Sequence, residues 1–172
     1  MTKFINFGNK TIGLRFSAGA FIKYKEEFGT EYPAENEKIQ EMLKGNHPTI
    51  ETIQKVLDNI KKITWCMADL YSPCSQAEIF GLCFDNRAVQ EINYWLHESV
   101  SCGEDAESTG EKENFNSENF VAICLECGLT MRDIEKYSVR FLVNIVNRYI
   151  DLHKPEEAKK ATQEDINMIF GR

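Results

Sequence analysis

Between residues 50 and 71 the chain carries side chains at alternating three- and four-residue steps. Ile50, Ile53, Leu57, Ile60, Met67 and Tyr71 are apolar, and Thr64 fills the one polar step. Val56, Ile63 and Leu70 widen the stripe. A strand changes face at every residue, so only a helix collects all of these on one side. Pro48 and Thr49 suit its first turn, and Ser72-Pro73 its end. The stripe is broader than a coiled-coil seam, so the expectation is a long helix facing the protein's own core.

The segments on either side read as partners for that helix. Residues 3–7 and 11–16 carry β-formers around Gly8-Asn9-Lys10, which predicts a hairpin. Ser17 is placed to cap a helix with apolar Phe21, Tyr24 and Phe28, stopped by Gly29. Asn36 is read as the cap of a short helix to Lys44, closed by Gly45. Two helical segments follow the long helix, Ser75 to Phe84 and Asn86 to Ser99, the second with Val89, Ile92, Trp95, Leu96 and Ser99 on one face. Ser117 is read as the cap of a helix through Phe120, Val121, Cys124 and Leu125, and Thr130 with Asp133 as a capping box. Ser138 then opens a helix whose expected core face is Val139, Leu142, Val143, Val146, Tyr149 and Ile150.

These pieces predict a mainly α protein, a bundle of about six to seven helices with a short N-terminal β-hairpin. Residues 1–154 form one helical domain, with 3–16 as the hairpin and 102–116 as a mobile acidic surface loop. Residues 155–172 form a C-terminal tail in which Ile166, Ile169 and Phe170 share a small apolar face.

Charge narrows the function. Residues 1–62 hold ten basic and eight acidic side chains, residues 63–153 six and fifteen, and the remainder four of each. An acidic middle without a basic stripe argues against nucleic-acid binding, which rewards clustered Lys and Arg. The helix-turn-helix candidate at 128–140 intersperses Arg132, Lys136 and Arg140 with Asp133 and Glu135. No apolar run approaches the roughly 20 residues that span a bilayer. Met1-Thr2-Lys3-Phe4-Ile5-Asn6 lacks the apolar stretch of a secretion signal, so a cytoplasmic location is expected.

Chemistry is sparse. The chain has no phosphate-binding Gly-rich loop, no His-Glu-x-x-His and no Gly-x-Ser-x-Gly. Six cysteines include one CxxC, Cys124 and Cys127, but His47, His97 and His153 are too scattered to complete a zinc site. That CxxC ends an apolar helical stretch instead of opening a helix, which is the wrong end for thiolate activation. The cysteines are read as small buried hydrophobes. No catalytic residue, cofactor or metal is expected.

Two blocks carry a family resemblance. One is Gly8-Asn9-Lys10-Thr11-Ile12-Gly13-Leu14-Arg15-Phe16, running into Phe21-Ile22-Lys23-Tyr24-Lys25-Glu26-Glu27-Phe28-Gly29. The other is Gly128-Leu129-Thr130-Met131-Arg132-Asp133-Ile134-Glu135-Lys136-Tyr137-Ser138, followed by the helix from Phe141 to Val146. Together they resemble the tail assembly chaperones of long-tailed phages and prophages of Gram-positive bacteria. The resemblance implies a non-catalytic protein of the bacterial host cytoplasm, absent from the finished virion. It implies binding to the tape measure protein and the tail tube protein, with no more than weak self-association. Contact is then expected at the tail face Ile166, Ile169 and Phe170, and at Tyr24 and Phe28. A head–tail connector or tail completion protein is the alternative, and would assemble into rings.

Overall fold

The computed structural model describes residues 1–44, 49–100 and 116–153. The acidic segment at 102–115, Gly45, Pro48, and the tail with Ile166, Ile169 and Phe170 lie outside the described residues.

The chain opens with an antiparallel hairpin, β1 (Thr2–Phe7) against β2 (Lys10–Arg15), registered from Thr2↔Arg15 to Phe7↔Lys10. The turn is shorter than the sequence suggested, because Lys10 already belongs to β2 and only Gly8 and Asn9 link the strands. Gly8 has φ 67° and Asn9 is not left-handed, the pattern of a II′ hairpin turn whose first residue favours glycine. Alternation sends Ile5, Phe7 and Leu14 into the core.

Among the described residues eight helices follow: α1 (Ala18–Phe28), α2 (Tyr32–Leu43), α3 (Ile50–Asp69), α4 (Gln76–Phe80), α5 (Asn86–Val100), α6 (Ser117–Glu126), α7 (Met131–Lys136) and α8 (Val139–His153). The mainly α bundle with an N-terminal hairpin is therefore the observed fold. The count passes the expected six to seven because α7 is a helix in its own right, and α4, expected to reach Phe84, stops at Phe80. Each is nucleated by its own capping box, Ser75 with Glu78 and Thr130 with Asp133.

Two expected caps sit elsewhere. Asn36 lies inside α2, which starts at Tyr32 because Pro33 occupies its first turn, where a missing N–H costs nothing. Asn116, not Ser117, caps α6, its side chain accepting from the N–H groups of Glu118 and Asn119. Ser17 does hold the N-cap position of α1, but its buried hydroxyl makes no cap bond. The start of α1 is fixed instead by the Ala18 N–H donating to the Tyr137 carbonyl at 3.0 Å.

α3 is the axis of the core. From Ile63 to Ala68 every residue is buried, whichever way it faces, because α1, α2, α4 and β2 all pack against this helix. Its first turn departs from the expectation of a fully core-facing stripe. Ile50 is 77% and Ile53 48% exposed, since among the described residues the packing partners cover only the later turns. The same happens on α8. Val139, Leu142 and Val146 are buried, whereas Tyr149 and Ile150 at the far end are exposed.

Candidate functional site: a groove between α1, α6 and α7

α1 carries two stripes. Phe21, Tyr24 and Phe28 point inward, and Gly19, Ile22 and Glu26 run along the opposite side at three-four spacing. α6 lies beside that outer stripe with Val121, Ala122 and Leu125, and Met131 at the start of α7 borders one end. Between them is an open cavity of about 550 Å³ with an apolar floor. Lys25, Glu26, Ser117 and Glu118 form its polar border.

A hydrogen-bonded clamp holds the two walls together. One oxygen of Glu31 accepts from the Ser117 N–H at 3.0 Å and from its hydroxyl at 2.8 Å. The Lys25 ammonium lies 3.0 Å from the same oxygen and 3.0 Å from a Glu118 oxygen. Burial alone would raise the Glu31 carboxyl, but the two Ser117 bonds and Lys25 outweigh it and hold the group below its ordinary value. Lys25 is held above its ordinary value by its bonds to Glu118 and Glu31. Ser117, expected as a cap, is instead the α6 anchor of this clamp.

A depressed carboxyl pKa stabilises the fold above the unfolded-state value of 4.5, and that stability is lost as pH falls through the lower folded-state value. Glu31→Gln should therefore lower stability by about 1.5–3 kcal/mol at pH 7, the range for hydrogen bonds to a charged group. The difference from wild type should shrink in acid unfolding curves taken below pH 4.5. Equal losses for the variant at pH 7 and in acid would show that the Glu31 charge contributes nothing.

The residues singled out from the sequence fall elsewhere. Tyr24 is fully buried and unavailable to a partner. Its hydroxyl donates to Asn59 Oδ1 at 2.6 Å, and its ring packs against Phe28 and Tyr32 with centroids 4.9 and 5.4 Å away. Phe28 is half-buried, edge-on to Trp65 at 6.0 Å, with the Lys62 ammonium 5.1 Å from its ring. It caps the core and does not border the groove. Ile166, Ile169 and Phe170 are not among the described residues.

The groove residues Ile22, Ala122 and Met131 are not site candidates from sequence, and Val121 and Leu125 are read there only as apolar positions of a helix. The second three-four stripe on α1 could have pointed to Ile22, but it is meaningful only once the first stripe is known to face α3.

Reactive chemistry does not converge here. Cys124 is buried and Cys127 half-buried at the end of α6, and burial raises the Cys124 thiol, the reverse of activation. Burial pushes the Cys66 thiol up to about 12. Among the described residues no cluster of His, Cys, Asp and Glu could hold a metal ion, and no helix is long and apolar enough to cross a membrane. Comparison with protein-family models, with curated proteins and with solved structures finds no match to this chain.

Proposed function

We propose that this protein is a non-catalytic tail assembly chaperone of a phage or prophage. It would act in the bacterial cytoplasm, holding apolar helical segments of the tape measure protein, and the tail tube protein, in soluble form. The observation that carries this reading is the groove itself. Ile22, Val121, Ala122, Leu125 and Met131 make an apolar floor bordered by Lys25, Glu26, Ser117 and Glu118. An amphipathic helix laid in such a groove buries its apolar stripe and leaves its polar face in water. The floor is open to solvent, with Leu125 46% and Met131 44% exposed, so a segment can enter and leave without unfolding the host. That reversibility is what a holding protein requires. A second apolar surface, Phe141, Ile145, Tyr149 and Leu152 on α8, could extend the contact.

Co-expression of the full chain with a tape measure protein tests the proposal. The expected result is a tape measure protein that is soluble only in the presence of this chain and purifies with it. Leu125→Glu should abolish both effects while leaving the melting temperature nearly unchanged, because the side chain is half in solvent and lies outside the core cluster. Unchanged tape measure solubility, together with discrete rings of this chain on sizing, would replace the chaperone reading with the connector.

A further inference from the structure

The groove continues past Met131 into a smaller cavity of about 220 Å³, which shares Ile22, Glu26 and Met131 with the first and reaches Leu70. Six charged residues line the joined groove, two of them lysines, and both lysines are committed. Lys23 pairs with Asp69 and lies 4.5 Å from the Trp65 ring centre. Lys25 pairs with Glu31 and Glu118. Glu26, Glu27 and Glu135 are exposed and have no ion pair among the described residues. An occupant therefore meets an apolar floor beside three uncompensated carboxylates.

We infer that the groove selects an amphipathic helix whose apolar stripe is flanked by lysine or arginine. This deepens the chaperone reading and rests on it. From Gly19 to Glu26 the α1 stripe runs ~10 Å, about two helical turns, so two or three flanking cations on the partner can face the three carboxylates. A neutral or acidic flank would leave those carboxylates uncompensated or opposed. The apolar floor supplies most of the affinity, and the acidic border supplies the choice among apolar helices.

The test uses two labelled peptides of ~18 residues, long enough to form helix, with one leucine stripe flanked by lysines in the first and by glutamates in the second. Their affinities for the full chain are read by fluorescence anisotropy. The lysine peptide should bind about tenfold tighter at low ionic strength, from a few exposed pairs of modest strength each. High salt should close most of that gap. The triple variant Glu26→Gln, Glu27→Gln, Glu135→Gln should close it as well. A control variant with Glu37→Gln, Glu41→Gln and Asp58→Asn, exposed acids outside the groove, should preserve it.

Equal affinities, no binding by either peptide, or a gap that survives in the groove variant would each overturn the inference. If the tape measure protein is still rescued in those cases, the chaperone reading stands and the basic flank alone is wrong. If the lysine preference maps to Glu26, Glu27 and Glu135 but no tape measure protein is rescued, the groove specificity stands and the chaperone reading falls.

Discussion

Tyr24→Ala should lower the free energy of unfolding by about 3–5 kcal/mol, the range for removing a buried aromatic ring, and much of a small domain's margin. The side chain is fully buried where α1, α2 and α3 meet, in contact with the rings of Phe28 and Tyr32. Truncation leaves a cavity that three helices cannot close together. It also strands Asn59, which is itself buried and accepts the Tyr24 hydroxyl. Tyr24→Phe separates these contributions. It keeps the ring but leaves the Asn59 oxygen without its donor, at about 1–3 kcal/mol. Tyr24→Phe with Asn59→Leu should recover part of that loss, because neither buried polar atom then remains. Urea denaturation of the three variants measures all of this. A Tyr24→Ala loss below about 1 kcal/mol would mean that the ring does not hold α1, α2 and α3 together.

That the tyrosine is interior bears on what a sequence can reveal. Aromatic residues at three-four spacing announce a helix face without saying what the face meets. Phe21, Tyr24 and Phe28 are legible as one stripe, but the stripe does not say that Tyr24 turns to the core, where α3 supplies a buried asparagine for its hydroxyl. The hairpin and the buried half of α3 were legible because their periods, two and three-four, admit only one geometry. The capping box of Thr130 and Asp133 was legible because its chemistry is local. Asn36 misled because a good cap residue also tolerates a helix interior once Pro33 has fixed the start upstream. Asn116 and Ser117 are both good caps, and the choice between them is made by Glu31, 86 positions earlier, which claims the serine. The groove was hidden for the same reason. Ile22, Ala122 and Met131 are unremarkable apolar residues until tertiary packing sets them side by side.

The helix that ends the groove depends on one missing side chain. Gly19→Val should destabilise the protein by about 1–3 kcal/mol and weaken partner binding with it. A Cβ at position 19 would lie 2.9 Å from the Glu135 Cα, inside the distance that real Cβ atoms keep. The obstacle is backbone, so no rotamer change relieves it, and α7 must move off α1. Gly19 sits early in α1, where alanine would otherwise gain about 1 kcal/mol in helix propensity over glycine. Gly19→Ala is thus the sensitive comparison, with the propensity gain set against the contact, and its loss should be smaller than that of valine. Displacing α7 carries Met131 and Glu135 with it, one from the groove floor and one from its acidic border. Thermal melting should therefore rank wild type above Gly19→Ala and Gly19→Ala above Gly19→Val, and peptide affinity should fall in the same order. If valine melts at the wild-type temperature, α7 does not seat against α1 in solution. If it melts lower but binds the lysine-flanked peptide as well as wild type, the binding surface does not include the start of α7.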